Sequence, residues 1–327
     1  MDLLRLPLLV LIDIFKNMNF KEKFLISLLS KRARNTLKLT SAKPHFLFEF
    51  SDSLVIYIEQ YWFSTHSPAV WKYKWRRRME KAVEEDYLIE GEVVRLKVNS
   101  DGFYARSQTP RNQLLLAGHV LDTFRKPTIS VKFSDPTLPS TVSEFINMIH
   151  ERHLSMKTFT HNIIRSTSQF VPEIVYKCTE VTDFISIHCG YSIRTAETYN
   201  SFFSKWMGSN VRLQKLEMLC IEEPEYLMIM EELSKQFVSL LFFILNNESF
   251  RGTLHQIARF WVKVERRDGS EYFIRKSNNY VQFHTKKSYL EQLKEDELES
   301  ARRAHDRQLY ILWRIRQLLN PQANWMI

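Results

Sequence analysis

Apolar residues crowd the start of the chain. From Leu8 to Met18 only Asp13, Lys16 and Asn17 are polar, and Pro7 suits the first turn of a helix, where a missing N–H costs nothing. A helix through Met18 therefore carries more apolar surface than one side of a small bundle can absorb. Asn19 followed by Glu22 has the spacing of a capping box, which predicts a second helix from near Phe20 with Phe24, Leu25, Ile26, Leu28 and Leu29 as its apolar residues. Ser30 can cap a third, basic helix through Lys31, Arg32, Arg34 and Lys38. Three short helices cannot bury a sufficient core alone, so they must pack on the rest of the chain or on a partner.

From about His45 to Phe133 the pattern is mostly strand-like. Phe46 to Phe50, Leu54 to Ile58, Val93 to Val98 and Ile129 to Phe133 are β-branched or aromatic runs separated by turns, and Asp101-Gly102 marks a hairpin or bulge. After about Pro139 helix and strand alternate. Val142, Phe145, Ile146 and Ile149 form one helical stripe, and Tyr199, Phe202, Phe203 and Trp206 another. Strands expected around Ile174 to Tyr176, Phe184 to His188, Leu216 to Ile221 and Val238 to Leu245 interleave with them. The expected class is mixed α/β (α+β): three N-terminal helices, a β-rich stretch, then β-α units on a partly parallel sheet. Such units can stack into a curved, leucine-rich-repeat-like array. Lys286 to Leu319 reads as one long C-terminal helix whose heptads are irregular, with Leu312 and Trp313 expected to pack on the preceding region.

Leu6-Pro7, an apolar helix, a short polar turn, a second apolar helix and Ser30-Lys31-Arg32 together resemble the F-box, over residues 3–42. Leu8 and Leu9 stand where an acidic pair is often found. The resemblance implies a non-catalytic adaptor that docks into the Skp subunit of a cullin-RING ubiquitin ligase. It further implies that Leu6, Pro7, Val10, Leu11, Ile14, Phe15, Met18, Phe24, Leu25, Leu28 and Leu29 are shared between the helices' own core and Skp, without dividing them between the two. A second stretch, Trp206, Gly208 and Asn210 with Leu213 and Leu216, followed by the turn Asp268-Gly269, resembles the F-box-associated domain, type 2, of nematode F-box proteins, over residues 150–285. The implied layout is an F-box at 3–42, an α/β substrate-recognition region at 45–285 and a C-terminal helix at 286–320, with an unidentified target protein as the second partner.

Composition narrows this picture. With 44% hydrophobic and 25% charged residues the chain is an ordinary globular protein, and no apolar run reaches the length of a membrane span. Pro7 and Asp13 interrupt the only run of signal-peptide length, which predicts a soluble, intracellular protein of cytoplasm or nucleus. Three cysteines, Cys178, Cys189 and Cys220, fit neither a disulfide framework nor a metal motif. A net charge of +9 permits an acidic partner. Trp71-Lys72-Tyr73-Lys74-Trp75-Arg76-Arg77-Arg78 has the composition of a single-strand-binding surface, so nucleic-acid binding is the alternative reading. Against it, Glu80, Glu84, Glu85 and Asp86 follow at once and can neutralise those cations from a neighbouring helical turn.

No catalytic pattern stands out. The seven glycines are scattered singly, which disfavours phosphate-wrapping loops, and no G-x-S-x-G is present. His150 and His153, with His161 nearby, raise the idea of a metal site, but no carboxylate or cysteine set stands at a matching interval. No cofactor and no metal are expected.

Overall fold

The computed structural model describes residues 5–40, 44–59, 82–99, 102–162, 181–188, 214–236, 239–241, 261–265, 271–277 and 280–319. Three helices, α1 (Leu8–Asn17), α2 (Phe20–Leu29) and α3 (Lys31–Thr40), precede a large mixed sheet, and one long helix ends the described chain. The architecture is mixed α/β, as expected.

The sheet is continuous across thirteen strands among the described residues. Its middle is parallel. β1 (His45–Phe50), β6 (Thr128–Ser134), β7 (Ser155–Asn162), β8 (Val181–His188) and β9 (Lys215–Leu219) lie side by side in that order, each parallel to the next. From β6 to β9 every strand adds at the same edge, the stacking expected of repeated β-α units. The flanks are antiparallel. On one side β2 (Leu54–Glu59), β5 (Gly102–Ala105), β4 (Glu92–Asn99) and β3 (Glu84–Ile89) continue from β1. On the other, β13 (Tyr280–Thr285), β12 (Glu271–Ser277), β11 (Trp261–Glu265) and β10 (Ser239–Leu241) continue from β9.

Alternation along β1 sets the core. Phe46, Phe48 and Phe50 point to one face and are buried, and Phe133 of β6 and Phe159 of β7 continue that face. Among the described helices, α4 (Pro110–Thr123), which precedes β6, and α5 (Pro139–Glu151), which connects β6 to β7, lie over it. Phe145 of α5 lies edge-on to Phe50, with ring centroids 4.8 Å apart, and a bidentate Arg152–Asp122 ion pair at 2.9 and 3.1 Å ties the end of α5 to α4.

Several expectations need correction. The mostly strand-like stretch from 45 to 133 also holds a helix, α4. Its signal is present in the sequence: Thr109 caps it, accepting from the Asn112 N–H at 3.2 Å, Pro110 opens it, and the buried Gln113, Leu116, Ala117, Val120 and Leu121 follow helical spacing. The helix α6 (Glu223–Gln236) and the strands β7 and β13 add to the expected elements. Glu84, Glu85 and Asp86 lie on strand β3, not on a helical turn, and Asp86 pairs across the hairpin with Arg95 at 2.7 Å. Leu312 does not pack on the preceding region; its side chain is 62% exposed. The stripe at residues 199–206, the strand at 174–176 and the Asp268-Gly269 turn lie outside the described residues.

Gly102 fills the position where the β4–β5 hairpin meets β2. Its φ is +149°, and a Cβ there would stand 2.0 Å from the backbone oxygen of Ile56. Gly102→Ala will therefore destabilise the chain by about 3 kcal/mol or more, read as a lowered midpoint in urea.

Candidate protein-docking surface

The N-terminal helices form as their capping residues dictate. Pro7 leads into α1, and its carbonyl accepts the N–H of Leu11 at 3.1 Å. At α2 the capping box is complete: Asn19 Oδ1 accepts from the Glu22 N–H at 3.0 Å, and Glu22 Oε2 accepts from the Asn19 N–H at 2.7 Å. Ser30 Oγ accepts from the Ala33 N–H at 3.1 Å and so opens α3.

The apolar residues of these helices divide three ways. Leu11 and Phe15 of α1 and Leu37 of α3 are fully buried in a small core of their own, with Leu6, Ile14, Met18 and Ile26 partly buried around it. Phe20 and Phe24 turn the other way and belong to the main core under the sheet. Phe20 stacks on Phe124 just after α4 at 4.9 Å, and Phe24 meets Phe103 of β5 at 4.4 Å. Leu25 and Leu28 are partly buried against that same core. A third set faces outward: Pro7 just before α1, Leu8, Leu9 and Val10 of α1, Leu29 of α2 and Leu39 of α3, with Leu9 75% and Leu29 67% exposed. Scattered exposed leucines are ordinary, whereas four consecutive exposed apolar residues at the start of one helix form a patch of the kind that marks protein contact.

Residues 3–42 match the family model of the F-box domain. The three helices are an F-box. F-box domains bind the Skp adaptor within SCF ubiquitin ligases, and proteins that carry one serve generally as non-catalytic substrate adaptors. Comparison with curated proteins and with solved structures gives no match for the chain.

The structure places the eleven residues first associated with Skp in different environments. Leu11, Phe15 and Phe24 are fully buried inside the chain, Pro7, Val10 and Leu29 are exposed, and Leu6, Ile14, Met18, Leu25 and Leu28 lie between. Leu8, Leu9 and Leu39, outside that set, share the exposed surface. The sequence alone does not divide the apolar residues of α1 between inside and outside, because Asp13, Lys16 and Asn17 are its only polar positions. The fixed point that sorts them is Leu11 with Phe15, an i, i+4 pair that Leu37 covers.

A polar contact fastens the F-box to the body. Ser27 Oγ of α2 donates to the Phe24 carbonyl at 2.6 Å and lies 2.8 Å from His119 Nε2 of α4. Burial and the nearby Arg34 guanidinium push the imidazole of His119 down to about 4, with Asp122 opposing. His45 on β1 and His284 on β13 are also pushed down to about 4, chiefly by burial. In the unfolded chain each histidine takes up its proton near pH 6.5, so between 6.5 and 4 the unfolded state binds more protons. Stability is thus full above pH 6.5 and falls as pH drops towards 4. Each histidine contributes a slope of up to about 1.4 kcal/mol per pH unit. Urea unfolding from pH 7 to 4 will show this loss, and His119→Leu will make it shallower, leaving the shares of His45 and His284.

Other residues considered for chemistry do not converge. His150 and His153 lie at the end of α5, half-buried and exposed respectively, while His161 is buried on β7. Among the described residues no group of three or more His, Cys, Asp or Glu could hold a metal ion, and no helix is long and apolar enough to cross a membrane. The segment 71–78 and the residues Trp206, Gly208, Asn210, Leu213, Asp268 and Gly269 lie outside the described residues; Leu216 is buried on β9.

Proposed function

We propose that the chain is the substrate-recognition adaptor of an SCF-type cullin-RING ubiquitin ligase, holding Skp through the exposed apolar ends of α1, α2 and α3 and a target protein through the α/β region 45–285. One observation carries the reading. The F-box builds its own core from Leu11, Phe15 and Leu37, yet leaves Pro7 to Val10, Leu29 and Leu39 in water. A folded domain that keeps such a patch exposed gains by covering it with a partner.

The joint between F-box and sheet supports the second half. Because Phe20 and Phe24 lie in the main core, a target held anywhere on the sheet is held at a fixed distance and angle from Skp. Ubiquitin transfer assisted in this way depends on raising the local concentration of the target, with no catalytic group required from this chain. The likeness of residues 150–285 to the F-box-associated domain, type 2, agrees with a target-binding role for that region. The chain would act in cytoplasm or nucleus, where its sparse cysteines stay reduced.

The test is co-purification of the full chain with a Skp-type adaptor. An equimolar complex that persists at high salt is expected, since apolar burial drives it. Failure of the folded chain to bind any Skp homologue, or binding to single-stranded nucleic acid with a steep salt dependence, would overturn the proposal.

A further inference from the structure

The C-terminal helix α7 (Lys286–Leu319) begins on the face of the sheet opposite the phenylalanine core. On β12 and β13, Ile274, Val281 and Phe283 belong to the main core, so the alternate residues Phe273, Arg275, Gln282 and His284 point the other way. The first turns of α7 meet that second face. Tyr289 stacks flat on Phe273 with ring centroids 4.0 Å apart, Ser288 Oγ lies 3.0 Å from His284 Nδ1, and Asp296 pairs with Arg275 at 3.4 Å. Lys286 pairs with Glu271 of β12 at 3.0 Å.

The surface on which the helix begins is largely polar, unlike the face under α4 and α5. Arg275, Gln282 and His284 are 5%, 7% and 0% exposed. An ion pair as buried as Arg275–Asp296 adds little net stability once both charges have left water. Contacts of this kind also depend on charge state, as apolar burial does not.

His284 holds the position most sensitive to charge. In the ladder between β13 and β9 it stands directly opposite Lys215, whose ammonium lies 5.3 Å from the centre of the Phe184 ring on β8. Directly opposed residues of an antiparallel pair have Cβ atoms about 5 Å apart, and like charges there repel. Arg275 lies diagonally across on β12, where Phe273 is the direct partner of His284. Against these two cations α7 sets Ser288 and the carboxylate of Asp296, which Arg275 already holds, while Glu217 of β9 and Glu295 of α7 act on Lys215. Burial first and Lys215 next push the imidazole down to about 4, with Arg275 adding to them and Ser288 and Asp296 opposing.

We infer that the start of α7 is a pH-sensitive strap, docked on β12 and β13 while His284 is neutral and released when a proton sets an imidazolium opposite Lys215. The inference does not rest on the ubiquitin-ligase reading. Once α7 lifts, His284 meets water and regains its ordinary titration near pH 6.5, so between 6.5 and 4 the released state binds more protons than the docked one. Docking is therefore full above pH 6.5 and weakens as pH falls towards 4.

Hydrogen exchange of the full chain, followed by mass spectrometry over residues 290–297 and corrected for the intrinsic effect of pH, measures the release. Turns freed from the sheet lose the packing that keeps helices formed, so their amides exchange. Protection over 290–297 should be lower than over α5, and should fall about tenfold between pH 7.5 and 5.5, the window in which histidine is the side chain that ordinarily titrates. His284→Gln keeps a hydrogen-bonding group and should remove most of that fall. Lys215→Met gives a second reading should glutamine disturb the docking: it keeps the imidazole, removes the cation opposite, and should make the fall shallower. Protection over 290–297 equal to that over α5 would mean that the helix opens only with the whole chain and would overturn the inference. A wild type whose protection does not change with pH, or a fall that both variants leave as it was, would overturn it equally.

Discussion

Phe24→Ala will cost about 3–5 kcal/mol of folding free energy, among the largest effects of any single truncation in the chain. The side chain is fully buried, with its ring 4.4 Å from Phe103, 6.1 Å from Tyr87 and 5.8 Å from the imidazole of His119. Those three partners come from β5, β3 and α4, so the cavity would open where three elements meet and none can close it by a small shift. Loss of the ring also loosens Ser27 from His119, one helical turn further on. Urea unfolding followed by tryptophan fluorescence reads the midpoint, and proteolysis between α3 and β1 reads the joint. A fragment ending at Thr40 tests the same point from the other side. It would expose Phe20 and Phe24 and keep only the small core of Leu11, Phe15 and Leu37, so it should lack cooperative unfolding. A cooperatively folding fragment would show that the joint is dispensable.

Leu9→Asp with Val10→Asp will weaken binding of Skp by on the order of a hundredfold and leave folding unchanged. Both side chains are exposed, so two carboxylates cost little in the free chain. At an apolar interface each loses its water without gaining a counter-charge, and burying an unpaired charge is costly enough to dominate the balance. Titration calorimetry with purified Skp gives the change, and circular dichroism confirms the fold. The contrast with Leu11→Asp is instructive. Leu11 is fully buried beside Phe15 and Leu37, so that variant would lose binding by unfolding the F-box and could not separate docking from stability. Retained affinity in the Leu9, Val10 variant would move the docking surface elsewhere on the helices.

Local chemistry carried much of the fold into view. The Asn19–Glu22 capping box, the Pro7 lead-in and the Ser30 cap each act within four residues, and each marked its helix where the structure has it. The same holds for the Val142, Phe145, Ile146 and Ile149 stripe, now buried under the sheet, and for the alternation of Phe46, Phe48 and Phe50 on β1. Helix α4 is signalled by Thr109-Pro110, but Gly118 in its middle lowers its intrinsic propensity and weakens its signal beside β-branched neighbours. Strand β3 is the opposite case. Its residues Glu84, Glu85 and Asp86 have little strand preference, and pairing with β4 places them there.

The sequence by itself determined where the N-terminal helices begin and end, that they hold more apolar surface than they can hide, and that the rest is mixed α and β. Only the tertiary structure decided how that surface is shared. Phe20 and Phe24 go into the core under the sheet, Leu11 and Phe15 close on Leu37, and Pro7 to Val10 are left in water. The physical reason is that burial depends on what lies opposite a side chain. Phe103, Phe124 and His119, which receive α2, stand some eighty or more positions further along the chain, beyond the reach of any periodicity.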